Sequence, residues 1–149
     1  MSHHEDRSDG QRFRATLDSF FAAETRYVAA GGAEVGADFG EMAAHLHPEV
    51  VMHQGPRVPF PGDWVGVHGI ERFFAAFSQT FRSIDLREIR YFTGDEGLAI
   101  RLRLRAIARA TGRQVDSRVG HLILFDDGLI RDWTVFYLDP VAVTKATRS

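Results

Sequence analysis

The last third of the chain constrains its fold more than any other stretch. From Leu98 to Asp139 three long strand-like runs follow one another, with few charges on one face of each. Thr111-Gly112 separates the first from the second, and Asp126-Asp127-Gly128 the second from the third. Glycine and aspartate tolerate the positive φ of tight hairpin turns, so the runs read as successive antiparallel strands. In the middle run, Arg113 to Phe125, strict alternation groups Ser117, Val119, His121, Ile123 and Phe125 on one face. His121 is the one titratable group of that apolar set. In the final run, Leu129 to Leu138, alternation carried on from Ile130 puts Asp132 and Thr134 on the inner face with Phe136, and Trp133, Val135 and Tyr137 on the outer one. A curved sheet with isolated polar groups on its apolar side is the usual wall of a ligand-sized pocket.

Upstream the period is helical. Phe13 to Ala30 carries Phe13, Leu17, Phe20, Phe21, Tyr27 and Val28 at helical spacing and stops at Gly31-Gly32. Asp38 can cap a second short helix reaching Leu46, ended by Pro48, and Glu49 to Gln54 reads as a strand. Pro56, Pro59 and Pro61 make Gly55 to Gly62 a stiff extended loop, with Asp63 to Gly66 a short strand after it. A third helix runs from His68 to Phe81, with Ile70, Phe73, Phe74, Phe77 and Phe81 along one stripe. Ile84 to Thr93 and Leu98 to Ala110 open the run of strands. Helices segregated from an antiparallel sheet define an α+β domain.

At 149 residues one domain is expected, occupying 12–140, between a flexible polar lead at 1–11 and a tail at 141–149. A net charge of -2 gives no reason to expect a nucleic-acid or membrane partner. The chain has no cysteine, which excludes disulfides, thiolate catalysis and cysteine metal sites, and suits a cytoplasmic location. His45, His47, His53 and His68 lie on different elements without ligand spacing, so no metal is expected, and no motif for a cofactor is present.

The order of elements and several segments resemble a known superfamily. The carriers are Leu46-His47-Pro48-Glu49-Val50-Val51-Met52-His53, then Pro59-Phe60-Pro61-Gly62-Asp63-Trp64-Val65-Gly66 followed by Gly69-Ile70-Glu71-Arg72-Phe73-Phe74. Thr111-Gly112-Arg113, Val119-Gly120-His121-Leu122 and Asp127-Gly128-Leu129-Ile130 continue the pattern, with Asp139 closing it. Together they resemble the nuclear transport factor 2-like proteins, and within them the SnoaL-like polyketide cyclase and ketosteroid isomerase-like branch. The resemblance covers Phe13 to Asp139. It implies a cone-shaped, curved antiparallel sheet (the cystatin-like fold) that encloses a pocket with three helices from the N-terminal half, and a homodimer packed through the outer sheet face. It implies no single chemistry, since members isomerise, dehydrate, cyclise, open epoxides or only bind.

By that resemblance the strand position of His121 is one where pocket acids and histidines sit. A neutral imidazole there can accept a proton from a carbon acid or, when protonated, hold a carbonyl; the alternative is a histidine hydrogen-bonded into the core. Asp132 can orient His121 or act as the base itself, its pKa raised by an apolar pocket; otherwise it is a rim aspartate paired with an arginine. SnoaL-like cyclases carry an acid/base aspartate after a last-strand tryptophan, and Trp133 is followed here by Thr134. Gln54 falls where ketosteroid isomerase has its proton-shuttling aspartate; an amide cannot take that proton, but it can bind a carbonyl or hydroxyl. Val135 stands where limonene-epoxide-hydrolase-like members need an aspartate. Met52, Tyr27, Phe60 and Trp64 are candidates for the pocket wall or plain core. Arg101, Arg103, Arg105 and Arg109 alternate onto the convex face.

Two readings follow. In the first, His121 and Asp132 perform cofactor-free acid/base chemistry on a small apolar carbonyl compound, as an isomerase, dehydratase or cyclase, with Gln54 and Thr134 binding it. In the second, the cone only holds a hydrophobic ligand, or serves as a dimeric interaction module without turnover.

Overall fold

The computed structural model describes residues 3–148, with side-chain surroundings from residue 9 onward. The elements are α1 (His3–Ala29), a 3-10 turn (Gly32–Val35), α2 (Gly40–Ala43), β1 (Leu46–Gln54), β2 (Gly62–Val65), α3 (Gly66–Thr80), β3 (Phe81–Thr93), β4 (Gly97–Ala108), β5 (Gln114–Asp126), β6 (Leu129–Tyr137) and α4 (Pro140–Thr147). The expected first helix is longer by about its whole predicted lead. Met1 and Ser2 lie outside the described residues, but from His3 onward the segment is the first turns of α1. Gly10 is buried there, against Thr93 at the end of β3. The second helix is shorter than expected: Asp38 accepts from Gly40 N, and only Gly40–Ala43 is helical before β1 begins.

Six strands form one sheet in the order β2-β1-β6-β5-β4-β3. β3 to β6 are the expected antiparallel meander. β1 joins it by pairing parallel with β6, with β2 folded back antiparallel on its other side, so the sheet is mixed rather than wholly antiparallel. The β5–β6 hairpin closes through Asp127 and Gly128, both at positive φ as a two-residue turn of this hand requires. Gly97 opens β4 so close to β5 that any side chain there would strike the Ile123 carbonyl. α4 starts where Asp139 caps Ala142 N at 3.1 Å and Pro140 supplies a preset φ.

The concave face of the sheet is the floor of the core and α1 and α3 are its roof. Leu17, Phe20 and Val28 of α1 and Ile70, Phe74 and Phe77 of α3 are buried against Leu98, Ile100, Leu102 and Leu104 of β4 and Ile123 of β5. Aromatic rings fill most of the space between roof and floor. Phe20 lies 5.1 Å from the Trp133 ring and 5.9 Å from Phe74, and Phe73 and Phe77 meet Phe60.

One irregularity decides which side chains face that core. Across the β5–β6 hairpin Phe125 pairs with Ile130, yet Leu124 pairs with Asp132, so Arg131 is an extra residue in β6. Such a bulge reverses the alternation beyond it. Ile130 is buried, and so are Trp133 and Val135 at 2% and 7% exposure, whereas Phe136 is 57% exposed. The expected parity of the last strand is therefore overturned past Arg131. Trp133, Val135 and Tyr137 turn inward; Asp132, Thr134 and Phe136 turn outward.

Phe20 is fully buried where helix roof and sheet floor meet. Phe20→Ala should lower unfolding free energy by about 3–5 kcal/mol, read as a drop in urea midpoint at constant slope. A loss under 1 kcal/mol would mean that the roof is not seated on the floor as described.

Candidate active site

Between roof and floor lies a hollow lined by α1 (Phe21, Glu24), α3 (Phe73, Phe74, Phe77) and the concave faces of β1 and β3 to β6. It is a narrow cavity, with a volume of about 40 Å³. Most of the lining is aliphatic or aromatic. Its polar groups are Glu24, Gln54, His121, Tyr137 and the indole N–H of Trp133.

The strand registers explain why these groups meet. Gln54 on β1 and His121 on β5 both stand opposite Val135 on β6, so the three form one row across the concave face. Trp133 and Tyr137 flank Val135 two residues to either side. Above them, Phe21 of α1 places its ring 6.1 Å from the imidazole, and Glu24 follows one helical turn later.

His121 is held by a single strong contact. The Trp133 Nε1–H donates to its Nδ1 at 2.8 Å. An indole N–H can only donate, so Nδ1 must carry the lone pair and the ring proton must sit on Nε2. Burial pushes the imidazole pKa down to about 4, so the ring is neutral at pH 7. Protonation would also put a second donor against the indole. His121 is thereby fixed as a neutral Nε2–H donor; it has no free lone pair with which to act as a base.

Glu24 is the carboxyl group of the hollow. It is 7% exposed, and burial, with no counter-charge or hydrogen bond to offset it, pushes its pKa up to about 8. It is mostly protonated at pH 7 and ionises just above. The Tyr137 phenol is pushed well above its ordinary value, by burial first and by the neighbouring Glu24 second, and stays a neutral donor. Gln54 is buried, with its Nε2 3.5 Å from the Met52 sulfur and its Oε1 without any partner.

The sequence-derived site residues divide into three groups. His121, Gln54 and Met52 line the hollow. Tyr27, Phe60 and Trp64 stand behind its wall: Tyr27 packs on Phe39, Phe60 on Phe73 and Phe77, and the Trp64 indole donates to the Phe60 carbonyl at 3.2 Å. Asp132 and Thr134 are on the opposite, convex face, a correction that follows from the Arg131 bulge. Asp132 meets His53 Nε2 at 3.2 Å, and the other ring nitrogen of His53 meets Asp63 at 2.9 Å. These groups are partly exposed and cannot reach His121. The reading that gave Trp133, Val135 and Tyr137 an outer interface is corrected with it, since all three line the hollow. Glu24 escaped the sequence reading although its signal was present: it sits at a stripe position among Leu17, Phe20, Phe21 and Val28, a lone acid on an apolar helix face.

Comparison with known proteins agrees with this architecture. A family model described as the SnoaL-like domain matches residues 25–133. The chain belongs to the SnoaL-like family. No curated protein sequence matches this SnoaL-like chain significantly. Among solved structures it is similar to an NTF2-like protein of unknown function from Burkholderia pseudomallei, with a TM-score of 0.78, 15% identity, and 93% and 98% of the two chains covered. TerC, crystallised together with polyporic acid, gives 0.75 and 15%, covering 93% and 99%. A candidate polyketide cyclase from Xanthomonas campestris gives 0.69 and 19%, covering 87% and 92%. Identities this low carry the fold alone.

The opposite shifts of Glu24 and His121 set a pH signature. Glu24 binds its proton more tightly in the native state, so its contribution to stability falls as pH rises from 4.5 to about 8. His121 binds its proton less tightly, so its contribution rises with pH from about 4 to 6.5. The two oppose each other up to pH 6.5, and above it only the Glu24 term is left. Unfolding free energy should therefore drop by about 1–2 kcal/mol between pH 6.5 and 8, and Glu24→Gln should flatten that segment. Denaturant melts across the range check it; equal slopes for both proteins would remove Glu24 from the buried hollow.

Proposed function

We propose that this SnoaL-like protein is a cofactor-free acid/base catalyst that moves a proton next to the carbonyl of a small, mostly apolar compound. The observation that carries the reading is a carboxyl poised near pH 8 and a tautomer-locked imidazole donor in one apolar hollow. The roles differ from those expected from sequence. The substrate carbonyl oxygen accepts from His121 Nε2–H. The Glu24 carboxylate removes the adjacent C–H proton, and the electron pair of that bond moves onto the carbonyl oxygen as an enolate. A neutral donor aimed at that oxygen stabilises the developing charge without being a base. Return of the proton from Glu24 to another carbon gives isomerisation, and return to the same carbon after the carboxyl has swapped its proton with solvent gives exchange. Expulsion of a β-hydroxyl by the enolate, with the Glu24 proton leaving on it as water, gives dehydration. Tyr137 can add a second neutral donor.

The narrowness of the hollow favours a flat ligand, and it also supports the competing reading of a binding protein without turnover. Exchange of the α-hydrogens of 1-tetralone in D2O, followed by NMR, separates the two. The catalysed rate should climb about tenfold per pH unit and level off near pH 8, as the carboxylate form appears. Glu24→Gln should lower it by about 10²–10⁴-fold, and His121→Phe by about 10²–10³-fold. Saturable binding of 1-tetralone with no enzyme-dependent exchange would leave the binding reading standing.

We further propose that the convex face is covered by a second copy of the chain. Phe92, Ala99, Leu122 and Thr134 form one cross-strand row there, with the exposed Phe136 and Leu124 beside it. On one side of the row lie Arg87, Arg90, Arg101, Arg103, Arg105 and Arg118 with fewer carboxylates, namely Asp85, Glu88 and Asp116. On the other lies Asp132, and Asp63 ends the row itself, beyond His53, which pairs with Thr134. Like charges opposite one another, as in the Arg87, Arg103, Arg118 row, are unfavourable in isolation. A two-fold axis through the apolar row sets each arginine cluster toward the partner's acidic side. Leu122→Glu with Phe136→Glu should convert a dimer into a folded monomer in sedimentation velocity; a wild-type monomer at 100 µM, about the upper end of ordinary working concentrations, would sink this arrangement.

A further inference from the structure

Gln54 presents a problem that the proton-transfer chemistry does not use. Its Oε1 is buried and has no hydrogen-bond partner. Exchanging the amide oxygen and nitrogen does not help: it would set the oxygen against the electron-rich Met52 sulfur, now 3.5 Å from Nε2, and leave the two N–H donors unpaired instead. An uncharged acceptor left dry in this way is costly, and such groups are rare in native interiors. A hydrophobic residue would fill the position better if filling were its only task. Gln54 lines the hollow, so a ligand in it can supply the missing donor after a small rotation of the amide.

We infer that the substrate is a hydroxy-carbonyl compound, with its hydroxyl donating to Gln54 Oε1 while its carbonyl accepts from His121 Nε2–H. The inference rests on the acid/base reading only for the placement of the carbonyl. Two wall groups of opposite polarity define the pair: an orphaned acceptor on β1 and a locked donor on β5, in one row with Val135 between them. Their backbones are two strand spacings apart, about 10 Å, and both side chains turn inward. One flat ring system with a hydroxyl at one end and a ketone at the other spans that gap. Glu24 and the phenyl rings of α3 roof its faces.

Three probes of one shape test this: 1-tetralone, 6-hydroxy-1-tetralone and 6-methoxy-1-tetralone. Dissociation constants from calorimetry should put the hydroxy ketone at least about tenfold tighter than 1-tetralone, with the methoxy ketone, which has the oxygen but no donor, gaining nothing. The preference should vanish in Gln54→Met and return in Gln54→Glu, which keeps an acceptor oxygen. Equal affinity for all three in the wild type, no measurable binding of the hydroxy ketone, or a preference that survives Gln54→Met would overturn the inference. The wild-type comparison needs no variant to fold. α-Hydrogen exchange, measured on the same samples, reports the proton-transfer chemistry separately. A hydroxyl preference without exchange upholds the Gln54 subsite and rejects catalysis; exchange without a preference does the reverse.

Discussion

The extra residue Arg131 in β6 is the constraint on which the site depends. Without it, strict alternation from Ile130 would bury Asp132 and Thr134 and expose an indole, a valine and a phenol. With it, the concave face gains the largest side chain of the strand and an uncompensated carboxylate is kept in water. The balance is one-sided. Burying an aromatic ring of this size is worth a few kcal/mol, whereas an unpaired buried carboxylate costs several. The bulge is pinned by the hairpin turn at Asp127 and Gly128, which sets the β5–β6 register on one side of it, and by the parallel pairing of Val51 to Gln54 of β1 with Asp132 to Val135 of β6 on the other. The row Gln54, Val135, His121 exists because those registers agree.

From this register follows the bond between Trp133 and His121. It removes the ambiguity that usually attends a histidine, because one ring nitrogen faces a group that can only donate. Burial lowers the affinity of that histidine for a proton and raises that of Glu24, so each group stays neutral in the range where the other does. Both shifts have one cause: the hollow offers no counter-ion, and a charge of either sign is disfavoured in it. A site of this kind is a poor place for an ion and a good one for a neutral ketone. In the proposed proton abstraction, the charge that develops on the carbonyl oxygen would meet the neutral donors on the wall.

Much of the architecture was legible in the sequence because it depends on periodicity and turn chemistry, which are local. The long helix face from Leu17 to Val28, the phenylalanine stripe of α3 and the two glycine hairpins specify an α+β domain, the cone shape comes from the resemblance to the nuclear transport factor 2-like proteins, and alternation alone puts His121, Gln54 and Met52 on the strand faces they occupy. The errors arose where one residue changes the count. Alternation read through Arg131 moved Asp132 and Thr134 to the wrong side, although Trp133, Val135 and Tyr137 are the more apolar set and argued for the opposite parity. The parallel partner of β1 is a long-range choice that no local pattern encodes. Glu24 was visible as an acid on an apolar stripe, but its significance depends on the absence of any partner in the folded state, which is a tertiary fact.

The division of labour between roof and floor has its own consequence. The imidazole donor stands on the sheet and the carboxyl group stands on α1, so their relative position is only as firm as the docking of that helix. Several contacts fix it along its length. Phe13 stacks on Phe125 at 4.4 Å near one end, and the Tyr91 hydroxyl donates to Asp18 at 2.5 Å, with Arg14 over the same ring at 4.9 Å. Phe20 and Phe21 touch Trp133 and His121 directly, so the helix turn that carries Glu24 is seated on the two residues whose hydrogen bond sets the tautomer. The likeness to other cones at 15–19% identity shows that the shell tolerates wholesale substitution. Chemistry in such a shell is set by which few polar groups the roof and the floor turn inward. In this chain those groups are a helix carboxyl, a strand imidazole, a phenol and an amide, the oxygen of that amide still lacking a partner.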